Sequence, residues 1–249
     1  MSKIAFCFLT YSDLDRPKIW MKYLENNLDK CNIYIHNKFP LKNNFFKKYI
    51  IKNKTKTYKK TDIFIVFATL LLIRSALKNE ENKKIIFLSQ SCLPIIPFNK
   101  LYEIINKDNL SYIKTFHNNK KGRYHSLLFD MKEKISYDNF VKQHPNMVLD
   151  REDAEFIVKK NHYLNYFKYM LCPDEHFFIN IFNIFRKEKI KNKQICFCNF
   201  NLKNTQGKEH KFITKELIKQ LRDLNFFFMR KVTKKSFIYK DFIKEMKLN

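Results

Sequence analysis

Three short apolar runs constrain the fold of this chain more strongly than any other feature. They occupy residues 3–10, 32–36 and 84–89, and most positions in them are apolar. Strands without polar alternation are typical of a sheet buried on both faces. A helical segment that opens at Pro17 separates the first two runs, and this order predicts a parallel sheet. We therefore predict one α/β domain over residues 1–249, with a mostly parallel central sheet flanked by helices.

The rest of the chain continues this pattern. The segment that begins at Asp62 is apolar nearly all round, which predicts a buried helix. Residues 117–145 are polar and are predicted to be irregular. Further helices are predicted at residues 98–105, 151–159, 214–221 and 234–247 and after Pro173, and further strands at residues 49–51, 110–116, 194–200 and 226–229.

The formal net charge of +25 favours a nucleic-acid partner at first sight. Only seven of the 49 basic residues are Arg, however, and the lysines are spread along the chain. The sequence contains no Arg-rich tract, no zinc-finger spacing and no RNA-binding aromatic motif. We therefore predict no nucleic-acid partner and expect most lysines to lie on a solvated surface.

The six cysteines are scattered along the chain, and most lie inside apolar runs, which predicts reduced, buried thiols. No stretch approaches the apolar length of a membrane span. The first residues are also a poor signal peptide. We therefore expect a cytoplasmic protein without a membrane span, of the kind that a microbe or a virus would encode.

Two polar groups follow predicted strands. Asp13 and Asp15 form an Asp-X-Asp string of the type that holds a divalent cation in many nucleotide-sugar transferases. They lie between a strand and a helix, where acids commonly cap and turn, so we predict that role for them. Ser89 and Ser91 end the central strand, where ligands bind in open α/β sheets. A ligand contact and an ordinary turn explain these two serines equally well.

The segment CPDEHFF at residues 172–178 carries the most concentrated group of proton-handling side chains. Pro173 suits a helix start, so Asp174, Glu175 and His176 are predicted to share the first turn of a helix. Acids in a first turn often only complement the helix dipole. The residues alone therefore do not decide between that role and an acid–base role.

Several blocks together resemble one family along nearly the whole chain. The most specific are FLSQSCLPI at residues 87–95, the segment with Leu149, Arg151 and Ala154, and CPDEH; GRYHSLL and FFFMRKV follow the same order. Together they resemble the core-2/I-branching β-1,6-N-acetylglucosaminyltransferases (glycosyltransferase family 14), especially the plant-type branch. The chain departs from the family pattern at Asn37, Thr69 and Asn146.

The resemblance implies a GT-A-like fold, a UDP-sugar donor, inversion at the anomeric carbon and no metal or other cofactor. It also divides the chain into a nucleotide-sugar-binding half, about residues 1–116, and an acceptor and catalytic half, about residues 117–249. The resemblance implies that Glu175 is the general base and that Asp174 has a structural role. It implies a diphosphate site at Lys231, Arg230 and, more loosely, Lys193. The donor site would be lined by Ser89, Ser91 and His36, and Arg123 and Arg151 would support the pocket.

These observations predict an inverting, metal-independent transfer of a sugar, N-acetylglucosamine by the resemblance, from UDP to a hydroxyl of a glycan or glycoconjugate. The expected partners are thus the UDP-sugar donor and the glycan acceptor. Two alternatives belong to other classes of protein. One is a basic nucleic-acid-binding protein, and the other is a catalytically inactive glycan-binding module on the same fold.

Overall fold

The computed structural model describes residues 2–56, 62–117, 121–199 and 207–247. Its strands are β1 (Lys3–Thr10), β2 (Cys31–Asn37), β3 (Asn82–Ser89), β4 (Leu93–Pro94), β5 (Ser111–Tyr112), β6 (Thr115–Phe116), β7 (Lys142–Gln143), β8 (Val148–Asp150), β9 (Ile190–Lys191), β10 (Cys196–Cys198), β11 (Phe212–Ile213), β12 (Phe228–Arg230) and β13 (Phe237–Ile238). The α-helices are α1 (Pro17–Glu25), α2 (Asn44–Lys47), α3 (Phe64–Leu77), α4 (Phe98–Ile105), α5 (Lys121–His125), α6 (Phe129–Lys132), α7 (Arg151–Lys159), α8 (Phe177–Phe185), α9 (Lys215–Asp223) and α10 (Phe242–Glu245). Short 3₁₀ turns span Asn161–Phe167, Pro173–Glu175 and Lys187–Lys189.

The largest sheet has the strand order β2-β1-β3-β8-β5-β9. The three long strands β1, β2 and β3 are parallel, and β8 pairs antiparallel with both β3 and β5. The sheet takes strands from both the first and the second half of the chain. The predicted α/β class with a mostly parallel central sheet is confirmed.

Apolar side chains cover both faces of this sheet, as predicted from the lack of alternation between apolar and polar residues in its strands. In β1, Ile4, Phe6 and Phe8 enter one core, and Ala5 and Cys7 enter the other. The first core is completed by α1, α4, α9 and the smaller sheets, and the second by α3, α7 and α8. Burial on two faces explains why these strands carry so few polar residues.

A second sheet, with the order β10-β12-β4, extends the carboxyl end of β3. Strands β10 and β12 are parallel, and β12 pairs antiparallel with β4. Beyond β12, the amide of Val232 donates a hydrogen bond of 2.9 Å to the carbonyl of Ser91. The segment with Arg230 and Lys231 is thereby attached to the loop that follows β3.

Most predicted elements occur with small shifts of their ends, but three predictions need correction. The predicted closing helix at residues 234–247 is mostly absent, since only Phe242–Glu245 is α-helical and β13 occupies its start. The stretch predicted to be irregular contains α5, α6 and β7, while its residues 118–120 lie outside the described residues. The strand predicted at residues 49–51 is a single bridge between Ile35 and Ile50. Residue 200, at the end of another predicted strand, also lies outside the described residues.

Among the residues that the structure describes, no helix combines the length and apolar character that crossing a membrane requires.

Candidate active site

The segment before α8 is a separate turn rather than the beginning of that helix. Cys172 has a left-handed backbone (φ 55°), Pro173–Glu175 form a 3₁₀ turn, and α8 begins at Phe177. The prediction of one continuous helical start is therefore wrong in this detail. Phe177 and Phe178 are buried directly behind the turn, and they anchor it against the second core.

Glu175 carries its charge between two cations. Its Oε2 atom lies 2.6 Å from Arg123 Nη1 and 3.1 Å from Lys142 Nζ. Burial of the carboxylate raises its pKa, but the hydrogen bond from Arg123 and the charge of Lys142 outweigh burial and hold the pKa below its ordinary value. Glu175 is therefore ionised at neutral pH.

His176 holds Arg123 in place. Burial, more than any other cause, lowers the pKa of His176 to about 4, so the ring is neutral at neutral pH. Its Nδ1 lies 2.9 Å from the carbonyl of Val141, and its Nε2 lies 3.0 Å from Arg123 Nη1. Nδ1 must then carry the proton and donate to Val141, while Nε2 accepts from Arg123. The ring also stacks on Phe140 at a centroid distance of 4.8 Å.

Asn180 positions Lys142 indirectly, by binding the backbone of the neighbouring residue, Val141. The Asn180 side chain accepts from the amide of Val141 at 3.0 Å and donates to the carbonyl of the same residue at 2.8 Å. Asn180 is fully buried on α8. The backbone on one side of Lys142 is thus fastened to the helix that follows Glu175.

Asp174 differs sharply from Glu175, although the two residues are adjacent. Burial, and then the neighbouring charge of Glu175, raises the pKa of Asp174 to about 7. Its buried Oδ1 atom has no hydrogen-bond partner in the part of the chain that the structure describes. Environments that separate the pKa values of two neighbouring carboxyl groups are characteristic of sites that handle protons.

A cavity of about 420 Å³ opens beside this ion-pair cluster. It is lined by Gly122, Arg123, Ser126, Tyr169 and Leu171. Arg123 belongs to both the cavity and the Glu175 ion pair. A ligand in the cavity would therefore lie close to an ionised carboxylate.

Arg230 lies half-buried at the end of β12. Its Nη1 atom makes one long hydrogen bond of 3.5 Å to Asn146 Oδ1, and its buried Nε atom is unpaired in the described residues. None of the ion pairs found between described residues involves Arg230. A half-buried guanidinium with unused donors is suited to binding an anion with planar oxygen pairs.

His144 is electrostatically close to both the Arg230 region and the Glu175 region. Burial, followed by the charge of Arg230, lowers the pKa of His144 to about 4, while the charge of Glu175 acts in the opposite direction. The ring Nδ1 accepts a hydrogen bond of 3.2 Å from the amide of Asn146. The charges of Arg230 and Glu175 therefore both act on this buried ring.

The loop after β3 is tied to this region through sulfur. Cys92 Sγ lies 3.3 Å from both the amide and the hydroxyl of Ser89, and 3.7 Å from Asn146 Nδ2. Asn146 also donates to the carbonyl of Phe87 at 3.1 Å. Ser91 contributes the carbonyl that accepts from Val232. Both predicted serines therefore lie beside the segment that carries Arg230.

Lys231 lies beside Gly207, at a point where the chain is tightly packed. A Cβ atom added to Gly207 would come within 2.4 Å of Cys198 Sγ and 3.9 Å of Lys231 Cε. Only glycine fits there without a shift, which gives Gly207 a packing reason. The carbonyl of Lys231 accepts a hydrogen bond of 3.0 Å from the amide of His210.

Two predicted site residues, Lys193 and Arg151, lie away from the other predicted site residues. Lys193 precedes β10, at the opposite end of the parallel β10–β12 pair from Arg230, and its ammonium lies 4.3 Å from the ring centroid of Phe227. Arg151 donates to the carbonyls of Leu77, Asn79 and Asn82, at the amino end of β3, so it supports the sheet away from Ser89.

His36 ends β2 near the expected donor site, but its ring faces inward. The side chain is 1% exposed, and its Nε2 accepts from the amide of Thr55 at 3.1 Å. Burial lowers its pKa, and the charge of Lys54 acts in the same direction. His36 therefore shapes this end of the sheet without presenting a free ring nitrogen on its surface.

Asp13 has the loop role predicted for it. Its carboxylate accepts hydrogen bonds from the amides of Lys42 and Asn43 at 2.9 and 3.0 Å, which fasten the segment before α2. The amide of Asp15 donates to the carbonyl of Gln90 at 3.0 Å. Within the described ranges, no three His, Cys, Asp or Glu residues are grouped as metal ligands.

Sequence reasoning missed Lys142 and His144. Lys142 lies among 49 basic residues with no local signal to distinguish it. His144 lies in the stretch that was predicted to be irregular, close to Asn146, whose departure from the family pattern was the only available indication.

The fold and the site together define an α/β enzyme equipped for group transfer. A mostly parallel sheet carries, near its carboxyl edge, an ionised carboxylate suited to proton abstraction and a guanidinium suited to an anionic leaving group. More narrowly, the chain belongs to the Core-2/I-Branching enzyme family of glycosyltransferases, whose model matches residues 4–222.

A curated relative, glycosyltransferase BC10 of Oryza sativa subsp. japonica, is 26% identical over 175 residues. The match covers 67% of this chain and 43% of BC10, so the chain spans less than half the length of that relative. Among solved structures, the apo structure of the bifunctional glycosyltransferase WbbM is similar with a TM-score of 0.45 and 11% identity, over 100% of this chain and 51% of that one. The galactosyltransferase LgtC, in complex with donor and acceptor sugar analogues, is similar with a TM-score of 0.39 and 9% identity, over 74% and 72% of the two chains.

Proposed function

We propose that this protein is an inverting, metal-independent glycosyltransferase that moves a sugar from UDP to a hydroxyl of a glycan or glycoconjugate. The observation that carries the proposal is the ionised Glu175 carboxylate, held by Lys142 and by Arg123, which also lines an open cavity. UDP as the carrier and N-acetylglucosamine as the sugar rest on the family resemblance. A cytoplasmic location remains a prediction.

Inversion requires a direct displacement with one base. The acceptor hydroxyl, entering through the cavity beside Arg123, attacks the anomeric carbon while Glu175 removes its proton. The bond from the anomeric carbon to the diphosphate oxygen breaks, and the electron pair leaves with UDP. Arg123 and Lys142 keep Glu175 ionised and aimed, and the carboxylate must turn from them towards the hydroxyl as the acceptor binds.

The leaving diphosphate needs positive charge where its own charge increases. Arg230 supplies guanidinium donors near the loop after β3, of which Nε has no hydrogen-bond partner among the described residues, and Lys231 adds a second cation from the same segment. Fixed cations at this position stabilise the transition state without reorganisation. Two cations in this role would take the place of a divalent metal, which supports the metal-independent form of the proposal.

The proposal is tested with variants that distinguish the role of the general base from that of the diphosphate site. Glu175→Gln should reduce the turnover of UDP-N-acetylglucosamine, measured as UDP release, by about 10²- to 10⁴-fold, while UDP affinity by calorimetry is kept. Arg230→Ala and Lys231→Ala should instead weaken UDP affinity. Retained turnover in Glu175→Gln would remove Glu175 as the base, and unchanged UDP affinity in both other variants would remove the diphosphate site.

Glu155→Gln is the matched control. Glu155 Oε1 pairs with Arg151 Nε at 2.8 Å on α7, so this substitution also removes an Arg–Glu ion pair, but away from the cavity. It should alter neither turnover nor UDP affinity. Thermal unfolding of each variant identifies any loss that comes from folding alone.

A further inference from the structure

Two phenylalanine rings project together from the small β11–β13 sheet, and the proposed chemistry does not use them. Phe212 and Phe237 are paired in register on the two parallel strands, so their side chains lie on the same face. They are 71% and 72% exposed, and their ring centroids are 6.4 Å apart. A single exposed apolar side chain is ordinary on a protein surface, whereas adjacent ones point to an interaction surface.

The backbone beneath the two rings is attached to the rest of the fold. The amide of Phe237 donates to the carbonyl of Lys211 at 2.7 Å, and the amide of Tyr239 donates to the carbonyl of Ile213 at 3.1 Å. Ile213 follows Phe212 in β11 and is buried in the first core. The rings therefore project from a support that is already ordered before anything covers them, which lowers the entropic cost of binding through them.

The charge around the two rings is mostly positive. Residues 208–212 and 233–241, which contain the two strands and the turns beside them, carry five exposed lysines and two exposed acids. One of the acids, Glu209, already accepts a hydrogen bond from the hydroxyl of Thr233. In the part of the chain that the structure describes, no ion pair involves any of the five lysines. They are Lys208, Lys211, Lys234, Lys235 and Lys240.

Phe129 shows that this combination is not simply what the composition produces. Its ring is 71% exposed, as exposed as that of Phe212, and it begins α6. The charged residues that follow it are two acids and two lysines, at positions 130, 132, 133 and 134. Only the β11–β13 surface joins paired apolar rings to an excess of positive charge among these two places. We call Phe212, Phe237 and the five lysines the aromatic–basic patch.

We infer that the aromatic–basic patch docks the protein on an anionic lipid surface. The two rings insert at the level of the lipid headgroups, and the lysines lie against the negative charges of the headgroups. Apolar aromatic side chains beside lysines are the combination by which proteins bind the interface of an anionic bilayer without spanning it. The inference is independent of the proposed sugar transfer, because it uses none of the residues assigned to the base or to the diphosphate.

Two other occupants fit the patch less well. Nucleic-acid bases stack on ring faces that are arranged along a positively charged groove, whereas Phe212 and Phe237 lie side by side on a projecting face with an interplanar angle of 42°. A second copy of the chain, bound through the same patch, would place the five lysines of one copy opposite those of the other, and like charges in such an interface repel.

The test measures sedimentation of the full chain with two kinds of lipid vesicle, one of phosphatidylcholine alone and one of equimolar phosphatidylcholine and phosphatidylserine. The protein should bind the mixed vesicles, at least about tenfold more tightly than the neutral ones, and added salt should weaken this binding. Phe212→Ala and Phe237→Ala should each weaken it by about tenfold. Lys211→Gln and Lys235→Gln should each weaken it by about fivefold.

Matched controls and a second measurement exclude effects of folding. Phe129→Ala and Lys134→Gln remove an equally exposed ring and an exposed lysine elsewhere, and they should leave vesicle binding unchanged. The chain has one tryptophan, Trp20, which is fully buried. A tryptophan introduced by Phe237→Trp should therefore report insertion through a shift of its emission to shorter wavelength on mixed vesicles, whereas Phe129→Trp should show no shift.

Several results would overturn the inference. They are undiminished binding of mixed vesicles in the double variant of Phe212→Ala and Phe237→Ala, equal binding of both kinds of vesicle, and unshifted emission of Phe237→Trp on mixed vesicles. Binding of single-stranded RNA in place of vesicles, weakened by the same alanine variants, would assign the patch to nucleic acid. Self-association without vesicles that these variants abolish would assign it to a second copy of the chain.

Discussion

Lys142→Met should move the acidic limb of the pH–rate profile to higher pH. Lys142 Nζ lies 3.1 Å from Glu175 Oε2, and the two side chains are 25% and 23% exposed. Burial raises the pKa of Glu175, while Arg123 and Lys142 more than compensate. Without Lys142 one of these cations is lost, so a proton binds Glu175 more readily. Methionine keeps most of the apolar stem of lysine, which limits the loss of packing.

The size of the shift follows from the geometry. At 3.1 Å, two unit charges attract by about 5 kcal/mol at an effective dielectric constant of about 20. Because both groups are partly exposed and Arg123 remains in place, solvent screening reduces the net effect to about 1 kcal/mol. That corresponds to a pKa increase of about 0.7 unit. The ionised base is then lost at a pH that is higher by the same amount.

The assay is UDP release from UDP-N-acetylglucosamine, recorded from neutral pH down to the onset of unfolding. Lys3→Met is the matched control, since Lys3 Nζ pairs with Glu81 Oε2 at 3.0 Å at the amino end of β1. It should leave the limb where it is in the unsubstituted protein. An acidic limb that does not move in Lys142→Met, or that moves equally in Lys3→Met, would refute the argument that Lys142 sets the pKa of Glu175.

Two further predictions concern Asp174 and metal ions. Burial, and then Glu175, raises the pKa of Asp174 to about 7, so the folded state keeps a proton that the unfolded chain has released, and stability should fall as the pH rises from about 4 to about 7. Asp174→Asn should flatten this slope and raise the urea midpoint at alkaline pH, whereas an unchanged slope would contradict the raised pKa. Turnover should persist in EDTA, and a loss restored by manganese would contradict metal independence and direct attention to Asp13 and Asp15.

Much of the fold was predictable because its signals are local. The apolar run of β1, Pro17 at the start of α1 and the apolar length of α3 each indicate an element without knowledge of its neighbours. The helix predicted for the closing segment was wrong because that prediction, too, used only local signals. Its apolar residues at Phe237 and Phe242 suit either a helix or a strand, and β13 forms there because Phe237 pairs with Phe212, a residue distant in sequence.

Candidate site residues were proposed from the sequence only where a family motif included them. Glu175, Arg230 and Lys231 were all singled out by the family resemblance. Lys193 was assigned from the same resemblance, and its ammonium lies over the aromatic rings of Tyr112 and Phe227. Arg151 donates hydrogen bonds to three carbonyls near the amino end of β3, and no sequence pattern indicates these contacts.

The sequence by itself determined the α/β class and the strand and helix order of the first half, whereas the choice of Glu175 as the acid in the Pro-Asp-Glu turn rested on the family resemblance. Run length, capping residues and periodicity act between neighbours in the chain, so they can be recognised without the fold. Only the tertiary structure decided which cations surround that acid. Arg123 and Glu175 are 52 residues apart, and long-range packing chose Lys142 from the many lysines, because a pairwise contact depends on where distant segments come to rest.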